Sequence, residues 1–439
     1  MNYLVRIVRP FREHLLSGFS WNVLSTITLQ GSVLVSTIIV ARVLGLASFG
    51  VYSILVSTVM MIAAVAQGGT GLVATKYVAE FLASEPARAG RVLNMCRIFT
   101  ISTGAFATAV VFASAGLLSS TILGKPELTP LVRLVSAAIF FQVSVSYQIG
   151  ALQGFGAFKE LSRAGMLAGL GQIGFAGIGV WLGQTTGALL GFVLASAFRT
   201  VLCGYMLRAV CQSNGIPKSN LIERQDCELM WRFALPTALA GFVTIPCLWL
   251  VTVLVARQPG GLSLVAMFSV AHQVRLAVLQ LPSLLNAVSF SVLSRLKGLN
   301  HAIRFRGIFW SNLVVNLGFS TLIVSILTFA AEPVLLVYGR DFTGGHWVLI
   351  LLLASVVPEM LAMSFYQLIQ SAGRMWYSLF LIAIPRDLIY LVLAAVLLPL
   401  HGVTAAAAAY LVAHTVGLIS TLLAAYRFAP VALWPYGRH

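Results

Sequence analysis

Three arginines, Arg199, Arg275 and Arg386, fall in the middle of long apolar stretches, together with two carboxylates, Glu359 and Asp387, and two imidazoles, His272 and His414. A cation at the centre of a bilayer costs at least about 2.5–3.5 kcal/mol. The three arginines should therefore face water or an internal anion rather than lipid. A guanidinium is planar, permanently charged and able to grip phosphate oxygens in a fork. One reading is a water-filled cavity whose cations attract an anionic cargo. The other is internal ion pairing, for example Glu359 with Arg386, that holds helices together. Arg275 is the strongest candidate for cargo: His272 lies one turn before it on the same face, and Gln273 and Gln280 add polarity. Arg386 has Asp387 beside it as a neutralising group, and Arg199 is placed where a small shift of the span would let it snorkel. His272 and His414 are candidates for proton coupling near neutral pH, against simple hydrogen bonding to a neighbouring helix. Glu359 follows Pro358 and is a candidate ion or proton site, with Asp387 as the other central carboxylate. Asn22, Thr26 and Gln30 recur every four residues and form one polar stripe, which reads equally as cavity lining or as interhelical glue.

The elements that carry these residues follow from composition. Apolar residues make up 59% of the chain and charged residues 9%, against about 25% charged in soluble domains. Apolar runs of about 20 residues, the length of a membrane-spanning helix, recur throughout, and no alternating barrel strands are visible. The expectation is an all-α, polytopic membrane protein of about twelve spans, at 17–41, 49–79, 91–117, 129–153, 163–182, 187–209, 231–255, 264–292, 307–330, 346–371, 376–398 and 403–426. Gln67-Gly68-Gly69-Thr70-Gly71 should loosen the second span, and Pro282, Pro358 and Pro385 should interrupt later ones. The first apolar segment is too long for a signal-peptide core. Five scattered cysteines show neither metal spacing nor a paired framework. No motif for hydrolysis, metal catalysis or nucleotide binding is present, so no cofactor is expected, and energy must come from an ion gradient, the membrane potential or the cargo gradient.

The net charge of +16 reads as orientation rather than nucleic-acid binding. With the N-terminus cytoplasmic, 20 Lys and Arg fall in cytoplasmic segments and 5 in outer ones, a bias that places both termini inside. Arg6, Arg9 and Arg12 read better as a flank of this kind than as an amphipathic surface helix. Val40-Ala41-Arg42 returns as Val255-Ala256-Arg257, Tyr52-Ser53 as Phe268-Ser269, and Leu152-Gln153 as Ile369-Gln370, at a common offset of 215–217 residues. Such an offset implies two parallel six-helix repeats, residues 1–209 and 231–439, joined by a polar cytoplasmic connector at 210–230.

Ala41-Arg42-Val43-Leu44-Gly45 followed by Phe49-Gly50-Val51-Tyr52 resembles the polysaccharide-transporter family of O-antigen-type flippases. So do Lys76-Tyr77-Val78-Ala79-Glu80, Leu152-Gln153-Gly154 with Phe158-Lys159, and Val337-Tyr338-Gly339-Arg340-Asp341-Phe342. The resemblance implies two six-helix lobes around a central cavity, the fold of lipid II flippases and MATE exporters. It also implies a polyprenyl-pyrophosphate-linked oligosaccharide as cargo, moved to the outer leaflet of a bacterial inner membrane, with a polysaccharide polymerase and chain-length proteins as further partners. His272-Gln273-Val274-Arg275 with Pro282 is similar to the stretch that gives lipid II flippases a cavity arginine. The first span departs from those flippases, with Asn22, Thr26 and Gln30 in place of cations, and Gln67 stands where many relatives carry an acid. Lipid II itself is thus disfavoured as cargo. A cation-coupled multidrug antiporter depending on Glu359 or Asp387 is the main rival. A membrane-embedded glycan polymerase fits poorly with the short outer loops, and a scaffold without transport would tolerate loss of every central arginine.

Overall fold

The computed structural model describes residues 2–82, 84–217, 241–298, 302–371 and 375–428, with side chains from residue 28 on except 287–288, 290–304 and 371–375. The described residues are helical apart from short turns, and they contain no strand. The helices are α1 (Asn2–Ala66), α2 (Thr70–Phe81), α3 (Pro86–Ala113), α4 (Thr129–Gly154) and α5 (Phe158–Ser213). They continue as α6 (Gly241–Ala256), α7 (Gly261–Gly298), α8 (Ala302–Phe329), α9 (His346–Ala354), α10 (Val356–Ser371), α11 (Ile384–His401) and α12 (Val403–Phe428).

Nine helices among the described residues are long and apolar enough to cross a membrane, and Gly241–Ala256 is a shorter apolar one. Two of the nine are broken once. The helix α1 bends at Gly45, whose φ of 71° suits glycine, and α5 breaks at Gly183 and Gln184. At 56 residues, α5 would be about 84 Å long if straight, far beyond one crossing. Counting each broken helix as two, the nine and the shorter one make twelve apolar segments, and the chain is an all-α polytopic membrane protein. The turn expected between the first two spans is reduced to the Gly45 kink, because Val43, Leu44 and Leu46 are apolar and give the chain no reason to leave the helix.

The glycines at 67–71 do break the second span: Gly68 and Gly69 both take positive φ, and α2 restarts at Thr70. Pro282 sits inside α7, which continues through it. Pro358 lies in the first turn of α10, and Pro385 in the first turn of α11 behind a π-turn over Leu379–Ala383. Pro358 falls among the donors that a first turn leaves free, whereas Pro385 follows helical residues, and its missing donor coincides with the π-turn.

The chain divides into two compact units. Unit 1 comprises residues 1–44 and 55–238, and unit 2 comprises 45–54 and 239–439. Of the polar connector, residues 218–230 lie outside the described residues. In unit 1, α4 packs against α2, α3 and α5. Backbones meet there at glycines: a Cβ on Gly150 would lie 2.0 Å from the Gly71 carbonyl oxygen. In unit 2, α10 packs against α7, α8 and α12. Each unit therefore uses its fourth span as the central packing element, and Leu152 and Ile369, matched by the repeat offset, are both fully buried.

The segment 45–54 is built into unit 2. The Phe49 ring lies 5.9 Å from Tyr52 and 5.8 Å from Phe342, which is itself 6.2 Å from Tyr338. A Cβ on Gly50 would fall 1.9 Å from the Leu262 carbonyl oxygen. The Phe-Gly-x-Tyr and Tyr-Gly-Arg-Asp-Phe stretches that carry the family resemblance thus pack against one another.

Candidate functional site

Five helices of unit 2 bring charged and polar side chains together. On α12, Tyr410, His414 and Gly417 follow one another at helical spacing and present one face. Arg275 reaches this face from α7 and is 1% exposed. Its Nη2 donates to Glu359 Oε2 on α10 and to the Tyr410 hydroxyl, and its guanidinium carbon lies 4.4 Å from the Tyr410 ring centre. His414 stacks on Tyr410 at 3.9 Å. Its Nδ1 lies 3.0 Å from the Tyr410 carbonyl oxygen and its Nε2 lies 3.8 Å from Glu359 Oε2. His272 meets Tyr410 edge-on at 6.1 Å, and Tyr390 of α11 does so at 5.1 Å.

A second ion pair adjoins the first. Arg386 Nε donates to Asp387 Oδ1 at 2.8 Å, and its Nη2 donates to Thr244 Oγ1 of α6 at 3.2 Å. Thr244 in turn donates to Asp387 Oδ2 at 2.6 Å. The stem of Arg386 lies across Gly417, where a Cβ would sit 3.0 Å from Cδ. Two guanidinium groups and two carboxylates leave the site formally neutral while the histidines are neutral.

The satisfaction of these groups is uneven. Asp387 has both oxygens engaged and is 4% exposed. Arg275 Nε and Nη1 and the Tyr390 hydroxyl are buried with no hydrogen-bond partner among the described residues. Buried polar atoms of this kind are rare, because each forfeits its hydration without compensation. The Arg275 guanidinium therefore retains donor capacity that no described residue fills.

Of the residues singled out by sequence, Arg275, Glu359, Arg386, Asp387, His272 and His414 come together. Glu359 pairs with Arg275 rather than with Arg386, whose partner is its neighbour Asp387. Arg199 lies in α5 of unit 1, partly buried, and Gln30 in α1 of unit 1 is exposed. The side chains of Asn22 and Thr26 lie outside the described residues. Sequence reasoning missed Tyr410, Tyr390 and Thr244. Two signals pointed to the tyrosines: each lies four residues from a charged or titratable side chain, Tyr410 before His414 and Tyr390 after Arg386. Thr244 had no such signal.

Comparison with known proteins agrees with this architecture. An inward-facing multidrug resistance MATE family transporter of the MOP superfamily superposes with a TM-score of 0.79 at 18% identity, covering 93% of this chain and 96% of the other. An outward-facing one gives 0.70 at 18% identity, over 94% and 96%. A MOP superfamily transporter from Pyrococcus furiosus, described as having a binding pocket of reverse polarity, gives 0.70 at 17% identity over 94% and 96%. These likenesses establish the fold. No curated protein matches the sequence. The sequence profile described as polysaccharide biosynthesis protein matches residues 15–297, well over half of the chain, and the chain belongs to that family.

Proposed function

We propose that this protein is a flippase. It moves a polyprenyl-pyrophosphate-linked oligosaccharide from the cytoplasmic to the outer leaflet of a bacterial inner membrane by alternating access, for assembly of a surface polysaccharide such as O-antigen on undecaprenyl pyrophosphate. The observation that supports this most is Arg275, 1% exposed with Nε and Nη1 unpartnered among the described residues. A guanidinium held in a dry site with donors to spare is suited to phosphate oxygens. Arg386, with 22% of its side chain exposed, is the more accessible cation and meets the headgroup first. The pyrophosphate then competes with Glu359 for Arg275, while Tyr410 keeps the guanidinium in place. The freed Glu359 carboxylate takes up a cation or proton, with His414 beside it and Asp387 as the second carboxylate, and this couples cargo to an ion gradient. Arg199 is assigned with Arg386 to help Arg275 with the pyrophosphate, and His272, Asn22 and Gln30 to the rest of the headgroup; the polyprenyl tail stays in lipid, and a polymerase and chain-length proteins receive the product.

The test is the sidedness of polyprenyl-linked oligosaccharide in cells lacking the protein. The expected result is accumulation on the cytoplasmic face with loss of surface glycan, restored by the wild-type gene and not by Arg275→Ala at equal expression. Transport retained in that variant would remove Arg275 from the mechanism. A second reading, a cation-coupled multidrug antiporter, is favoured by the buried carboxylate of Asp387 and by the multidrug transporters of like fold. It requires unchanged glycan sidedness together with drug sensitivity in the knockout.

A further inference from the structure

Unit 1 holds a pocket of its own, far in sequence from the arginine cluster. It has a volume of about 540 Å³, within the usual range for small-molecule sites. It is framed by the start of α3, the end of α4 and the end of α5 together with the turn that follows, and two arginines, Arg97 and Arg208, line it. No aspartate or glutamate is among its lining residues. Both arginines are exposed, and both charges lie within electrostatic range of Tyr147, which is buried in the pocket wall. Asn94, 7% exposed, accepts a 2.8 Å hydrogen bond from Arg97 Nη2 and so fixes the direction of that guanidinium. Gln148 also lines the pocket and is 7% exposed, and its Oε1 has no hydrogen-bond partner among the described residues. Beneath lies apolar packing that includes Leu93 and Leu207.

The geometry points to a binding site for a phosphate ester that carries a hydroxylated group, with the phosphate between Arg97 and Arg208 and a hydroxyl donating to Gln148 Oε1. Two cations at the rim, with no carboxylate among the described residues that line the pocket, select an anion. The unpaired amide oxygen in the wall calls for a donor, which an ionised phosphate ester group lacks and a glycerol or sugar hydroxyl supplies. The pocket lies at the end of unit 1 that carries Arg88, Arg91, Lys159 and Arg163, the end that the charge count assigns to the cytoplasm. The same chemistry is offered there by an anionic lipid headgroup or by a soluble sugar phosphate. This site is independent of Arg275 and of the cargo assigned to it.

The test uses the full chain in nanodiscs and in detergent. One arm measures retention of phosphatidylglycerol over phosphatidylcholine by native mass spectrometry. The other titrates glucose 1-phosphate by calorimetry. Saturable binding in either arm, weakened at least about tenfold by Arg97→Gln with Arg208→Gln, supports the site, and the arm that responds identifies the source. Gln148→Leu separates a ligand role from a structural one. If the amide only lines an unused hollow, its replacement by an apolar group of like size leaves thermal stability equal or higher and binding unchanged. If it receives a hydroxyl, binding falls about tenfold in a stable protein. Binding in neither arm, or binding indifferent to the arginine pair and to Gln148→Leu, overturns the proposal.

Discussion

Replacing Glu359 by glutamine keeps the shape of the side chain and an acceptor oxygen but removes its charge. Arg275 is then left 1% exposed beside neutral partners only. Removing one member of a buried pair costs about 3–5 kcal/mol, most of it from stranding the other charge. The Glu359 side chain is 20% exposed, and Tyr410 with the new amide oxygen still accept from the guanidinium. The expected cost of Glu359→Gln is therefore about 2–3 kcal/mol. In a unit of about two hundred residues this corresponds to a fall in apparent Tm of about 4–12 °C. The assay is tryptophan fluorescence during heating in detergent at one scan rate, since the apparent Tm of an irreversible unfolding depends on that rate. Arg275→Met costs less, because the carboxylate it leaves behind is partly exposed and lies 3.8 Å from His414. The double variant removes both charges and should be more stable than Glu359→Gln alone, with a coupling of about 2 kcal/mol. Additive effects of the two substitutions, or a Tm for Glu359→Gln within about 1 °C of the parent, would refute the pairing. Rescue of stability without rescue of transport is the outcome expected if Arg275 also serves the cargo.

Two further substitutions probe other parts of the same unit. Gly50→Ala drives a Cβ to 1.9 Å from the Leu262 carbonyl oxygen. It should cost about 3 kcal/mol or more and sharply lower the amount of protein in membranes, whereas Gly31→Ala, with nothing within 4 Å, should leave that amount unchanged. Thr244→Val removes the hydroxyl that links Arg386 to Asp387 and should lower stability by about 1–2 kcal/mol, while Thr244→Ser should restore it; equal Tm values for the two would exclude the hydroxyl link.

The membrane class and the number of crossings were legible because apolar runs of spanning length need no partner to be recognised. Helix breaks were legible where glycine or proline enforces them, as at Gly68 and Pro385. The Gly45 kink was read as a loop because one glycine in an apolar run permits either outcome, and only packing decides between them. For the site, charge in an apolar run flagged the residues, since burying it is costly whatever the fold. Pairing was not legible: Glu359 is 27 residues from Arg386 and 84 from Arg275 in the chain, yet it contacts Arg275. Nor was the amide cluster on α7, α8 and α10 anticipated. There Asn286 Oδ1 accepts from Asn312, Asn316 and Ser364 at 2.8–3.1 Å. Asparagine and serine are too common for their type alone to predict such a meeting.

The repeat shows where the two units diverged. An offset of 217 residues, which relates Leu152 to Ile369, carries Glu359 back to Gln142 on α4 and brings His414 to within one residue of Ser196 on α5. In unit 1 Gln142 Nε2 donates to Ser196 Oγ at 3.1 Å. The same pair of spans in unit 2 joins a carboxylate to an imidazole. Unit 1 thus makes with neutral groups the contact that unit 2 makes with titratable ones, and the positions equivalent to Arg386 and Tyr410, residues 169 and 193, are Gly169 and Val193. The shared packing accounts for the contact itself, and the charge in unit 2 is an addition to it. If the protein is the flippase proposed above, Gln142→Leu should then cost only the roughly 1 kcal/mol of one neutral hydrogen bond and leave glycan translocation near the parent rate, while Glu359→Leu should abolish it. Loss of translocation in Gln142→Leu protein that reaches the membrane at normal levels would show that the neutral contact carries function too, and would end the case for a site specialised in unit 2.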